Sequence, residues 1–151
     1  MKTLAAAGLP VMGHIGLTPQ HVHRLGGMRQ QACEEDAAQE LMLDALALEN
    51  AGAFAVVLEA VPDAVAEAVT SRLRIPTIGI GAGAHCDGQV LVSYDALGLF
   101  DAFVPPFVKQ YAQLGDVVLS AAKRYADEVR CGVFPFPEAS RSDRQPALVS
   151  K

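Results

Sequence analysis

Tryptophan is absent from the 151 residues, and aromatic residues make up only 6% of the chain, so any core must be built chiefly from aliphatic side chains. The three cysteines, Cys33, Cys86 and Cys131, are odd in number and far apart. They fit reduced thiols in a cytosol better than a disulfide framework or a zinc site. Cations are scarce as well: 12 Lys and Arg stand against 17 Asp and Glu, for a formal charge of −5. That balance disfavours non-specific binding to nucleic acid or to an anionic membrane, both of which depend on clustered cations. Long apolar runs are missing too, since a stretch such as Phe54 to Leu58 is far below the roughly 20 residues that a spanning helix needs. At the N-terminus a single lysine precedes a brief alanine stretch that Gly8-Leu9-Pro10 cuts short, which makes a poor secretory signal. What remains is 51% hydrophobic and 19% charged, the composition of a packed globular protein. At this length there is room for one domain and not comfortably for two.

Two hydrophobic periods alternate along the chain. Thr3 to Ala7 reads as the last turn of a helix, stopped by Gly8 and Pro10. Val11 to Gly16 is short, apolar and glycine-punctuated, as a buried strand is. Thr18-Pro19 then supplies an N-cap with proline at the first helical position, predicting a short helix to about Leu25 that Gly26-Gly27 ends. From Glu34 to Asn50 the apolar residues Ala38, Leu41, Ala45 and Leu48 share one helical stripe. Phe54 to Leu58 is a continuous β-prone run. Pro62 and Asp63 open another helix, with Val65, Ala68, Val69 and Leu73 inside. Thr77 to Ile80 reads as a third strand and Val90 to Val92 as a fourth, followed by helices from Pro106 to Gln113 and from Asp116 to about Arg130. Residues 1–133 therefore form the folded part. Residues 134–151 hold Pro135, Pro137 and Pro146 among polar residues and are expected to be a loose tail. Buried strands alternating with amphipathic helices imply a parallel sheet. With at most four strands the chain is about half of a (β/α)8 barrel, which typically takes ~250 residues, or else a small open sheet.

Glu59 is the most informative single residue. It follows the apolar run Phe54 to Leu58, so a carboxylate sits at the C-terminal end of a strand, the edge where parallel α/β folds gather their catalytic groups. Burial there raises a carboxyl pKa, as suits a general base working near neutral pH. The other reading is a carboxylate that caps the helix opened by Pro62 or pairs with an arginine. His14, between Gly13 and Gly16, either donates a hydrogen bond to a substrate oxygen or is satisfied by a backbone carbonyl in the core. His21 and His23 would share a face on a strand and bind metal there, but the Thr18-Pro19 signal puts them on a helix, where residues two apart diverge. Gly79-Ile80-Gly81-Ala82-Gly83 invites a dinucleotide-loop reading. That reading fails on context, because Ala84 to Gln89 leads into another apolar strand where a helix should begin. His85, Cys86 and Asp87 are neighbours in sequence, and neighbouring side chains point apart, so they make no triad.

Taken together the motifs resemble one family. Val11-Met12-Gly13-His14-Ile15-Gly16-Leu17-Thr18-Pro19-Gln20, Gly26-Gly27, Asp44 to Glu49 and Val57-Leu58-Glu59-Ala60-Val61-Pro62 are similar to the middle of ketopantoate hydroxymethyltransferases. Ile75 to Gly83, Cys86 to Val92, Pro106 to Lys109 and Tyr125 to Phe134 continue the likeness, which covers roughly Leu4 to Pro135. The resemblance implies an α/β fold, a partial (β/α)8 TIM barrel of the phosphoenolpyruvate/pyruvate type comprising about the last four βα units. It implies transfer of a one-carbon unit from 5,10-methylenetetrahydrofolate to 3-methyl-2-oxobutanoate, giving 2-dehydropantoate. It places the proton acceptor in the Leu-Glu-x-Val-Pro segment, which here makes it Glu59. It also implies Mg2+, a cytoplasmic setting and a homo-oligomer, commonly a decamer.

The family's magnesium-binding acids and its substrate-holding Ser and Lys belong to the first four strands, and no residue here matches them. After Gly26-Gly27 the family's Tyr-Lys-Val-Gln-Gly-Arg is replaced by Met28-Arg29-Gln30-Gln31-Ala32-Cys33. The expectation is a C-terminal half that carries the base without the metal ligands and is inactive alone. The alternative is a non-catalytic half-barrel that pairs with a separate N-terminal half or with itself.

Overall fold

A computed structural model describes residues 1–21, 23, 26–100 and 103–136. The elements are α1 (Lys2–Ala6), β1 (Met12–Gly16), a 3-10 turn (Pro19–His21), α2 (Glu35–Asn50), β2 (Ala55–Glu59), α3 (Asp63–Arg72), β3 (Thr77–Ile80), β4 (Gly88–Gln89), α4 (Ser93–Ala96) and α5 (Leu114–Arg130). The chain divides into two units, residues 1–92 with 105–108, and residues 93–104 with 109 onward.

In the first unit the four strands lie in the order β1-β2-β3-β4, every neighbouring pair parallel. Strands that follow one another around the sheet without reversal form a barrel wall, whereas a doubly wound sheet reverses its order partway. The fold is α/β and consistent with part of a TIM barrel.

Alternation along the strands decides what each face meets. Val56 and Leu58 of β2 point to one side and pack with Leu41 and Ala45 of α2 and with Ala66 and Val69 of α3. Gly13 turns to the same side, where a Cβ would lie 2.6 Å from Leu48 Cδ1. α2 and α3 thus cover this one face, as the crossover helices of a barrel cover its outer wall. The register puts Met12, His14, Val57, Glu59 and Ile78 on the opposite face. There Met12 is 43% exposed, so this surface is uncovered by either helix.

The β3–β4 connection has no helix. Residues 81–87 return along the sheet and are held at their far end by Asp87. Its Oδ2 accepts from the Thr77 amide (2.8 Å) and hydroxyl (3.2 Å), and its own amide donates to Thr77 Oγ1 (3.3 Å). The Thr70 and Thr77 hydroxyls are 2.8 Å apart, which completes the partners of a fully buried threonine.

Several expectations are corrected here. The helix from Thr18 to Leu25 is, among the described residues, only the 3-10 turn; Val22, Arg24 and Leu25 lie outside them. Ala68 is exposed and Ala66 takes its place in the core, because α3 starts at Asp63 and turns its stripe accordingly. β4 is Gly88–Gln89 and not Val90 to Val92, since Asp87 fixes the entry to the strand and only the Val90 amide still reaches Gly79 O, at 3.0 Å. No helix runs from Pro106 to Gln113. The Val108 amide bonds Pro105 O at 2.9 Å in a turn that lays Phe107 against Gly81, where a Cβ would lie 2.6 Å from the ring.

In the second unit the single turn α4, which the sequence did not announce, receives the Tyr111 amide on Ala96 O at 2.7 Å. α5 has no buried residue. Phe134 meets Tyr125 edge-on, with centroids 5.3 Å apart, and Phe136 meets Phe134 at 6.2 Å. Of the expected loose tail, residues 137–151 lie outside the described ones.

Asp87→Ala strands the buried Thr77 amide and takes one of the partners of its hydroxyl. It should lower the unfolding free energy by about 1–3 kcal/mol in urea denaturation, and a loss below ~0.5 kcal/mol, the range of an ordinary surface substitution, would contradict this account.

Candidate active site

β2 ends on Glu59, and three backbone hydrogen bonds fix the peptide that follows. The Leu17 amide donates to Glu59 O, the Ala60 amide to Ile80 O and the Gln31 amide to Ala60 O, each at 2.8 Å. Ala60 is held in the left-handed region at φ 49°. Such a conformation costs a residue with a Cβ roughly 1–2 kcal/mol and persists only where its surroundings impose it. Gly16, opposite Glu59 in register, has φ +87°, and a Cβ there would lie 2.3 Å from Glu59 O. Glycine is therefore required on the adjoining strand for Glu59 to sit where it does.

The Glu59 side chain is 13% exposed, and its Oε2 lies 2.9 Å from Nε2 of His14. Burial pushes the Glu59 carboxyl above its ordinary 4.5, while the charge and hydrogen bond of His14 pull it the other way. Desolvation wins, so the group is a stronger base than a surface carboxylate. Of the alternatives to a base for Glu59, neither an arginine partner nor a helix-capping hydrogen bond is seen among the described residues; its partner is a histidine. His14 in turn is held by a carboxylate, which neither of its sequence readings named. It also borders a cleft of about 400 Å³ lined by Thr18, His21, Gln31, Glu40 and Asp44 among others.

The remaining candidates do not join this site. His21 Nδ1 is 3.1 Å from Thr18 Oγ1 within its own turn, and His23 is exposed. Among the described residues no three His, Cys, Asp or Glu side chains are placed to hold a metal ion. His85, Cys86 and Asp87 diverge. His85 Nε2 is 3.5 Å from Asp63 Oδ2, Cys86 packs against the core and Asp87 binds Thr77. The glycines after β3 lead into a loop, with Asp63 Oδ1 accepting from the Ala84 amide at 3.1 Å, so no helix begins at the last glycine as a dinucleotide loop requires. Sequence reasoning missed Ala60 and the converging amides, because nothing local marks which strand ends will meet.

A profile of the family described as Ketopantoate hydroxymethyltransferase matches residues 1–137. A 3-methyl-2-oxobutanoate hydroxymethyltransferase of Heliobacterium modesticaldum is 59% identical over 140 residues, 93% of this chain and 51% of the relative. Proteins of the same name from Pelobacter propionicus, 53% identical over 140 residues, and Clostridium beijerinckii, 54% identical over 135, are matched over 52% and 49% of their lengths; these alignments take in 93% and 89% of this chain. The chain spans about half the length of the curated relatives it matches.

The raised Glu59 carboxyl fixes a sign for stability. Folding favours the protonated acid, so that contribution is complete below 4.5 and is lost as pH rises through the elevated value. Glu59→Gln, neutral throughout, should therefore have a higher urea midpoint than the wild type at about pH 7 and converge with it below about pH 4.5. A wild type that gains on the variant over that interval would contradict the assignment.

Proposed function

Because the chain belongs to the ketopantoate hydroxymethyltransferase family, a family of transferases, we propose that Glu59 is the proton acceptor of a hydroxymethyl transfer to 3-methyl-2-oxobutanoate. The observation that carries this reading is a carboxyl 13% exposed at a parallel strand's C-terminal end, its pKa raised by burial. Glu59 removes the proton from C3 of the keto acid. The electron pair left behind moves toward the ketone oxygen as an enolate, and C3 then bonds to the one-carbon unit, which is carried at the oxidation level of formaldehyde. Water breaks the two C–N bonds that hold this unit to 5,10-methylenetetrahydrofolate, the proposed donor, so that tetrahydrofolate leaves, and the oxygen from water takes up a proton as the hydroxyl of 2-dehydropantoate. The cytoplasmic setting and homo-oligomeric assembly expected from the family belong to the same reading.

A divalent cation on the substrate's ketone and carboxylate oxygens would supply charge stabilisation for the enolate. The described residues do not fit such a site, since no three potential ligands converge among them. The cation's ligands are proposed to lie in that half of the relatives' length which this chain does not span.

A second reading is favoured by one observation. β1 is an edge strand, and the helix-free face beside it is partly exposed. Parallel strands are ordinarily covered on both faces and open edges invite pairing. On this reading the chain is a non-catalytic half-barrel that pairs with a separate N-terminal half or with itself, and it predicts association without turnover.

The test is product formation by this chain with magnesium, alone and joined to the N-terminal portion of the Heliobacterium relative. The chain alone should give no product. The joined enzyme should turn over and lose about 10²–10⁴-fold in Glu59→Gln, the usual contribution of a general base. Turnover by the chain alone, or full activity in Glu59→Gln, would overturn the proposal.

A further inference from the structure

His14 and Glu59 meet across two strands in a way the backbone register dictates. His14 is paired with Val57 and Gly16 with Glu59, so His14 lies diagonally behind Glu59 on the same face. A diagonal pair in a sheet is separated by about 7–8 Å between Cα atoms, within reach of an imidazole and a carboxylate but not of short side chains. The position directly opposite Glu59 is a glycine that cannot carry a side chain without striking Glu59 O. No side chain on β1 therefore stands between the ring and the acid, and the two close to 2.9 Å. Ile80, the register partner of Glu59 on β3, is apolar and offers it no hydrogen bond.

We infer that His14 is a positioning residue for the proton acceptor, its Nε2 holding Oε2 of Glu59 so that the other carboxylate oxygen is the one presented to substrate. The inference rests on the reading of Glu59 as the base. With Oε2 tied to the ring, rotation about the terminal bond of the glutamate is stopped, and Oε1 has no partner among the described residues. A base that is already oriented loses less entropy in reaching the geometry of proton transfer. The pairing also moderates the base. Burial drives the carboxyl toward its neutral form, and His14 opposes this, favouring the ionised form that a proton acceptor needs. Besides Glu59 on β2, which is paired with His14, the titratable groups that line the cleft His14 borders are His21 of the 3-10 turn and Glu40 and Asp44 of α2. No described lysine or arginine lines that cleft.

The test is the titration of the Glu59 side-chain carboxyl, followed by ¹³C NMR in the chain as it stands, for wild type, His14→Ala and His14→Gln. His14→Ala removes both the charge and the hydrogen bond and leaves the burial, so the Glu59 midpoint should rise by about one pH unit. His14→Gln keeps a donor near the same place without the charge, so it should lie between the two and serves where the alanine variant fails to fold. A purely structural role for His14 would change the melting temperature and leave the Glu59 midpoint where it was. An unchanged or lowered midpoint in the folded variants overturns the inference. In the joined enzyme His14→Gln should lower kcat with KM little changed, and a loss confined to KM would count against positioning and for direct substrate binding. These outcomes separate from those of the underlying reading. Full activity in Glu59→Gln removes the base whatever the titration shows, whereas an unshifted midpoint with an inactive Glu59→Gln removes only His14.

Discussion

The level alignment of the C-terminal ends of β1, β2 and β3 is the constraint on which the site depends. Gly16, Glu59 and Ile80 stand side by side in register, and the amides of Leu17 and Ala60 are consumed by the carbonyls of Glu59 and Ile80. A slip of one residue in either ladder would turn Glu59 to the helix-covered face and replace it with an aliphatic side chain. The register is secured from the other side of the sheet, where Val56 and Leu58 are fully buried against α2 and α3. The apolar core and the chemistry are thus two faces of one alternating strand. Packing energy on one side fixes the position of a carboxylate on the other, and that carboxylate is strained both in its neighbour's backbone and in its own desolvation. Such local costs are what a functional site is expected to carry when the surrounding fold is stable enough to impose them.

Much of this was legible in the sequence. Strand β3 has the bounds expected for it, and α2 ran from Glu35 where Glu34 was expected, because a 3.6-residue stripe and a short apolar run after a proline are strong local signals. The place of Glu59 at a strand's C-terminal end was legible too, as the first polar residue after the β-prone run Phe54 to Leu58. What failed depended on contacts between distant segments. Val90 to Val92 has the composition of a strand, yet Val90 and Val92 are exposed and the ladder stops at Gln89. Pro106 carried a helix-start signal, but Phe107 is needed against Gly81, and that contact holds the segment in a turn. The partner of His14 was invisible because it is set by strand register, which no local pattern encodes.

The two catalytic-looking features that the site does not use have structural employment. Asp87 closes the helix-free return from β3 by satisfying Thr77, and Asp63 holds the glycine-rich turn through the Ala84 amide while approaching His85. Their chemistry-bearing side chains are explained by buried or end-of-strand hydrogen bonding, which leaves Glu59 and His14 as the pair that no structural need of the sheet requires. The helix-covered face would be as well packed with a leucine at position 59. A buried-edge carboxylate kept there at the cost of its own solvation is the feature that separates an enzyme's strand end from an ordinary one.

The central claim, that Glu59 removes the proton from C3, is tested most directly by the half-reaction without any one-carbon donor. The measurement is loss of deuterium from C3 of labelled 3-methyl-2-oxobutanoate, followed by proton NMR with the chain joined to the relative's N-terminal portion. The account predicts wash-out of the label well above the buffer rate, and its disappearance in Glu59→Gln. Wash-out that persists undiminished in Glu59→Gln would contradict it.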